Sequence, residues 1–155
     1  MDEKPWRIPK IKKKPRKIDQ ELLNAAYFGN SYGLKKWIDL GANVEYMEER
    51  DGWLPIHYAA RWGDLKMLDY LIKSGANING LTNSKETALH KCARWDRKEA
   101  AIMLLKLGAI TTIKNRDGEK ASDMTVDPEI KFILDYFDQY QEIIKNKEFL
   151  HLNYK

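Results

Sequence analysis

The chain carries one cysteine, Cys92, so no disulfide can form within it. A reducing compartment, cytosol or nucleus, is the expected setting. No apolar run approaches the roughly 18 residues that would span a bilayer, and no transmembrane segment is expected. The charged N-terminus has no apolar stretch behind it, so a secretory signal is not expected either. A glycine-rich phosphate loop, a nucleophile elbow and paired carboxylates in a plausible cleft are also missing. With them go the commonest routes to phosphoryl and acyl chemistry, and no cofactor is implied.

What is present is 155 residues, 43% hydrophobic and 32% charged. That length suits one domain, or one domain with tails. The charged fraction is high, as expected of a thin architecture with much surface. The net charge of +4 is unevenly spread. Residues 1–18 hold eight basic side chains against Asp2 and Glu3, a balance of +6, which leaves −2 for the remainder. A basic tail is attached to a slightly acidic body.

The body repeats itself. A shift of 33 lays Leu54-Pro55-Ile56-His57 on Thr87-Ala88-Leu89-His90, Ala59-Ala60 on Cys92-Ala93, and Arg61-Trp62 on Arg94-Trp95. It also lays Gly75-Ala76 on Gly108-Ala109, and a shift of 66 takes Asp51-Gly52 to Asp117-Gly118. Going back by 34 takes Gly63 to Gly29 and Gly75-Ala76-Asn77 to Gly41-Ala42-Asn43, with the extra residue placed in the loop 46–50. Each period opens with a short apolar segment that ends near Gly29, Gly63 or Asp96. A second apolar segment follows at helical spacing, as in Leu65, Leu68, Leu71 and Ile72. Gly41, Gly75 and Gly108 close these second helices, where a left-handed residue is wanted. A polar, turn-rich stretch comes next. The unit reads as helix, turn, helix, extended loop, a period typical of solenoids.

This grammar resembles the ankyrin repeat. The family's Thr-Pro-Leu-His motif stands as Leu54-Pro55-Ile56-His57 and Thr87-Ala88-Leu89-His90. Its Gly-Ala-Asp-Val-Asn ending stands as Gly41-Ala42-Asn43-Val44-Glu45 and Gly75-Ala76-Asn77-Ile78-Asn79. The resemblance implies an all-α solenoid of about four helix-turn-helix repeats with extended finger loops, capped at both ends. It covers residues 19–135, with repeats at about 19–50, 51–83, 84–116 and 117–135, between a tail at 1–18 and a C-terminal helix extension at 136–155. The first repeat lacks the leading motif and the last replaces it with Lys120-Ala121-Ser122-Asp123, so both read as caps. One helix pair cannot bury its own apolar face; neighbours bury it together.

His57 and His90 invite a metal reading, but zinc needs four ligands at about 2.1 Å. The resemblance implies instead that each histidine bonds loop backbone and fixes a turn. Cys92 stands where the family has alanine and reads as a buried structural thiol. A catalytic cysteine would need an activating base and an electropositive site. His151 has no partner in view.

Repeat packing accounts for the whole folded length, so function belongs to the positions packing leaves free. In ankyrin stacks these line one concave face. Alignment of the repeats picks out Tyr27-Phe28, Arg61-Trp62 and Arg94-Trp95 after the small-residue pairs. Trp53 follows Asp-Gly, with Glu86 and Glu119 equivalent to it. Tyr58 and Lys91 are equivalent, and Tyr46, Met47 and Arg50 lie in the lengthened loop. Trp, Tyr and Arg dominate binding hot spots. The expected site is therefore a face binding a protein segment through Tyr27, Phe28, Tyr46, Arg50, Trp53, Tyr58, Arg61, Trp62, Glu86, Lys91, Arg94 and Trp95. The competing reading is that some of these rings merely complete the core.

The tail adds Lys10, Lys12, Lys13, Lys14, Arg16 and Lys17, with prolines that forbid a regular helix. Residues 4–17 resemble a nuclear-localisation signal for an import receptor, and suit an acidic surface such as nucleic acid, tubulin or anionic lipid. Residues 128–146 read as one long amphipathic helix through Ile130, Ile133, Leu134, Phe137, Tyr140 and Ile144. Beyond it, Phe149, Leu150, Leu152 and Tyr154 either fold back or make a second contact. The leading expectation is a non-enzymatic scaffold or adaptor in the cytoplasm or nucleus that binds a partner protein. A nuclear or nucleic-acid-linked regulator using the tail, and a structural subunit of a larger assembly, are the rivals.

Overall fold

The computed structural model describes the backbone of residues 15–153 and the side chains of residues 15–147. Lys10, Lys12, Lys13 and Lys14 lie outside the described residues, as do the side chains of Phe149, Leu150, His151, Leu152 and Tyr154.

Helices come in pairs. α1 (Lys17–Tyr27) pairs with α2 (Ser31–Asp39), α3 (Pro55–Trp62) with α4 (Leu65–Lys73), and α5 (Ala88–Arg94) with α6 (Lys98–Lys106). A 3-10 turn (Ala121–Met124) pairs with α7 (Pro128–Asp135), and α8 (Phe137–Asn153) follows. The first members α1, α3, α5 and the 3-10 turn pack side by side; α2, α4, α6 and α7 form the layer behind them. No strand occurs among the described residues. The all-α solenoid expected from the period is the architecture found.

Local chemistry explains the boundaries. Pro55 opens α3 at a position whose N–H would have no helical partner. The side chains of Asn30, Asp64, Thr87 and Asp127 each accept a backbone N–H from the first turn they precede. Gly63, which ends α3, has φ 70, and Asp96 takes the same left-handed conformation at φ 51 one repeat later. Alanine pairs let neighbouring first helices approach closely: Ala26, Ala59, Ala60, Cys92 and Ala93 are fully buried. Leu22, Leu34, Ile56, Met67, Leu68, Leu71, Leu89 and Leu104 fill the space between the layers.

One local conflict makes a prediction. Gly52 and Gly118 adopt φ 71 and 80 in their finger turns, and the equivalent residue of the middle repeat is Lys85, at φ 61. A left-handed conformation costs a side chain with a Cβ about 1–2 kcal/mol. Because glycine also gives the unfolded chain more freedom, Lys85→Gly should raise stability by about 0.5–1 kcal/mol in urea unfolding. A loss of stability would show that the lysine side chain compensates its backbone.

Two sequence expectations need correcting at the ends. The boundary at residue 18 falls inside a helix, since Lys17 opens α1 and Arg16 precedes it. The Arg16 guanidinium reaches Asp19 at 2.7 and 2.8 Å and donates to the Gly41 carbonyl at 3.1 Å, so it belongs to the folded body. The reason lies in the stack. In later repeats a backbone N–H is bonded by a side chain from the preceding loop: Asn77 N–H donates to Glu45 Oε1 at 2.7 Å, and Ile110 N–H to Asn79 Oδ1 at 2.9 Å. At the equivalent Asn43 the acceptor is Asp19, at 2.7 Å, held in place by Arg16.

The long helix expected over residues 128–146 is broken at Tyr136, whose φ and ψ are −136 and 43. α7 buries Ile130, Ile133 and Leu134, sealing the stack. The break turns the chain so that α8 starts afresh, with Phe137 and Tyr140 packed onto the core beside Ile102. A straight continuation would have had to serve both surfaces with one stripe. Among the described residues, no helix is long and apolar enough to cross a membrane.

Candidate functional site

The two histidines hold the finger loops. His57 Nδ1 accepts the Leu54 N–H at 2.9 Å, which leaves Nε2 to donate to the Gly80 carbonyl of the following loop at 2.9 Å. His90 does the same one repeat later, accepting the Thr87 N–H at 3.1 Å and donating to the Glu119 carbonyl at 3.1 Å. Their surroundings are equivalent, and every ring nitrogen is used by backbone. Burial pushes His57 down to about 4 and His90 in the same direction, so both rings are neutral at pH 7. Successive fingers are tied further by Asn83 N–H to the Asp51 carbonyl at 3.0 Å and Arg116 N–H to the Ser84 carbonyl at 2.9 Å.

At the other end of α1 and of α3 a side chain from the next repeat meets the last carbonyls. The Trp62 indole N–H lies 3.2 Å from the carbonyls of Ala26 and of Tyr27. Its ring lies flat against Gly29, where an added Cβ would meet it at 3.3 Å. Arg97 Nε donates to the Arg61 carbonyl at 2.9 Å. Cys92 is buried between these helices, its Sγ 3.9 Å from the Ala60 carbonyl, and burial pushes its thiol up, away from reactivity.

On the face of the first helices, the aromatic residues form a continuous ladder. Phe28 meets Tyr27 edge to face at 4.9 Å, Tyr27 meets Tyr58 at 5.5 Å, Tyr58 meets Trp53 at 4.8 Å, and Trp53 meets Trp95 at 6.1 Å. Arg61 lies 5.3 Å from the Trp95 ring and 5.6 Å from that of Trp62. Such pairs contribute about 0.5–1.5 kcal/mol each beyond the area they bury.

The sequence expectation treated these positions alike, and the structure separates them. Phe28 is 73% exposed and Trp62 44%, with Tyr27 and Arg94 also exposed. Trp53, Arg61 and Trp95 are half-buried. Tyr58, Glu86 and Lys91 are not free at all. Lys91 is 3% exposed and Glu86 6%. Lys91 Nζ stands 3.8 Å over the Trp53 ring and pairs with one Glu86 oxygen, while Arg94 takes the other. Burial opposes the charge on Glu86, but the hydrogen bonds from Lys91 and Arg94 win, and its carboxyl sits below the usual range. Burial likewise pushes Lys91 down and lifts the Tyr58 phenol to about 12. These three side chains are the floor of the face. Sequence reasoning took Glu86 and Lys91 for contacts because they are the repeat equivalents of Trp53 and Tyr58; their spacing of five across a helix start was the one available hint of a pair.

Tyr46 and Arg50 stay apart from the ladder, making no ring or cation contact with it among the described residues. Tyr46 lines a depression with Gln20, Leu23, Asn24, Glu48 and Glu49. Arg50 offers its carbonyl to Asn83 Nδ2 at 3.2 Å. Among the described residues, no three His, Cys, Asp or Glu side chains are grouped to hold a metal ion.

Comparison with known proteins matches residues 22–115 to a family model described as ankyrin repeats, three copies. Among curated proteins, the chain is 33% identical over 72 residues to SH3 and multiple ankyrin repeat domains protein 2 of Homo sapiens, covering 46% of this chain and 4% of that one. It is 32% identical over 94 residues to ankyrin repeat-containing protein P1E11.10 of Schizosaccharomyces pombe, covering 61% and 44%. It is 26% identical over 117 residues to protein phosphatase 1 regulatory subunit 12A of Rattus norvegicus, covering 76% and 11%. The chain thus spans less than half the length of each of these relatives.

Proposed function

Because the chain belongs to the ankyrin-repeat family, whose stacks are protein–protein interaction modules, we propose that it is a non-enzymatic scaffold or adaptor that binds a partner protein through the aromatic face of its first helices. The observation that carries this reading is the exposure of Phe28, Tyr27 and Trp62 at positions beside a rigid floor of Tyr58, Trp53, Lys91 and Glu86. Aromatic side chains are enriched at protein interfaces, and rings that a partner desolvates fully are the usual hot spots. The rings also share work with the fold, since Trp62 bonds α1 and cannot be removed innocently. Phe28 is the cleaner probe. The single buried thiol of Cys92 fits a reducing compartment, the cytosol or nucleus.

Affinity capture from cell lysate tests the reading with three full-length proteins. These are the wild type, a Phe28→Ala variant, and one with Lys10, Lys12, Lys13 and Lys14 changed to glutamine. Phe28→Ala should lose the captured partner while its melting temperature falls by no more than a few degrees, and the glutamine variant should keep it. Capture that depends on the lysines and ignores Phe28 would sink the proposal and favour an acidic-surface or import role for the tail.

A further inference from the structure

The repeat register reveals a charge without its counterpart. In the third repeat Arg94 is paired with Glu86, which also takes Lys91. One period earlier the same three positions are Arg61, Trp53 and Tyr58. The carboxylate has become an indole and the buried lysine a phenol, but the arginine remains. Among the described residues, the Arg61 side chain makes no ion pair and no hydrogen bond; its neighbours are the rings of Trp62 and Trp95.

Those neighbours place the guanidinium well for a guest. Two indole rings, with centroids 5.6 and 5.3 Å from its central carbon, limit the rotamers it must give up on binding. Its in-plane N–H groups stay available, and their fork matches a carboxylate in bidentate fashion. Apolar surface lies around it, Trp62 directly against it and the exposed Phe28 and Tyr27 at the other end of the ladder.

Resting on the proposed binding face, we infer that its occupant is a protein segment presenting one aspartate or glutamate to Arg61, flanked by apolar side chains that cover Trp62 and the Tyr27–Phe28 end. Other guests fit worse. A cationic or methylated lysine would compete with Lys91, whose ammonium already occupies the Trp53 ring. A nucleic acid needs a row of free cations, but on this face Lys91 and Arg94 already share Glu86. A long acidic run would meet Glu48 and Asp51, whose charges are within reach of Tyr58. A single carboxylate beside apolar groups satisfies the charge and avoids that repulsion.

The test selects a phage-displayed random-peptide library on the immobilised full chain. The strongest peptide is then titrated, with its Asp→Asn or Glu→Gln analogue, against wild type, Arg61→Gln, Arg61→Lys and Phe28→Ala. Enriched peptides should share one acidic residue beside an aromatic or aliphatic one. The amide analogue should bind wild type at least about tenfold more weakly, while Arg61→Gln should scarcely distinguish the two peptides. Arg61→Lys, which keeps the charge but loses the fork, should fall between. Enrichment without acidic residues, or an equal loss on wild type and Arg61→Gln, overturns the inference while Phe28→Ala still weakens binding. Peptides indifferent to both Phe28 and Arg61, or no enrichment at all, overturn the inference and the binding face together. Changing the peptide rather than the protein keeps the result independent of how Arg61 substitutions affect folding.

Discussion

Replacing Glu86 with alanine is expected to cost about 3–5 kcal/mol of stability, the range for breaking a buried ion pair from one side. The size follows from what stays behind. Lys91 would remain 3% exposed with no carboxylate, its ammonium supported only by the Trp53 ring at 3.8 Å. Arg94 can swing into water, because its side chain is half exposed; Lys91 cannot. The double change Glu86→Leu with Lys91→Met should recover most of the loss, since apolar groups of similar volume remove the charge and its partner together. Urea unfolding of Glu86→Leu, Lys91→Met and the double variant measures the coupling. Equal and additive losses would mean that Glu86 and Lys91 do not depend on each other. The pair sits where the second repeat meets the third, so the single variant should also broaden the transition as the stack loses its one-dimensional cooperativity.

The second large effect is expected at His57. His57→Ala leaves the buried Leu54 N–H without an acceptor and the Gly80 carbonyl without a donor. Each buried orphan costs about 1–3 kcal/mol, which gives about 2–6 kcal/mol together. The same ring sets a pH dependence. Its folded value, lowered by burial to about 4, lies below the ordinary 6.5 of an unfolded histidine. Between these values the unfolded chain binds the extra proton. The stability tied to neutral His57 is therefore complete above pH 6.5 and is lost as pH falls towards 4, by about 3 kcal/mol in all. His90 is shifted the same way, and Glu86, held below its ordinary value, adds a further loss at the acid end. Urea midpoints from pH 7.5 to 4 should fall steadily in the wild type and more gently in His57→Ala. A flat wild-type profile would contradict a buried neutral imidazole.

The period and the helix pairs were legible in the sequence because each is enforced by a local rule repeated at a fixed interval, and the roles of His57 and His90 came with the resemblance to the ankyrin repeat. Gly75 and Gly108 end helices by their backbone, and Pro55 and Thr87 begin them. The ladder was legible only as a set of positions. Which of its members are floor and which are surface depends on contacts across repeats, and no single repeat contains that information. Glu86 and Lys91 were expected on the surface because repeat alignment places them with Trp53 and Tyr58; they are buried because they pair with each other over Trp53. The break at Tyr136 was hidden for a related reason. Ile130, Ile133, Leu134, Phe137 and Tyr140 keep helical spacing through it, yet they serve two different neighbouring surfaces. Asp19 gave no sign of its task either, because its partner, the Asn43 amide, is set by how the first loop folds back.

The two central first helices, α3 and α5, are each fastened to a neighbour at both extremities, by a histidine bond beside the finger and by Trp62 or Arg97 at the opposite tip. Two anchors so far apart resist rocking as well as sliding. On the proposed binding face, the platform would therefore hold its form before a peptide arrives, and the guest would do the conforming. Adaptation of that kind places the entropic cost on the ligand. Peptides pre-bent to the platform should gain affinity chiefly through slower departure, and the exposed end rings Phe28 and Tyr27 supply what local give the surface has.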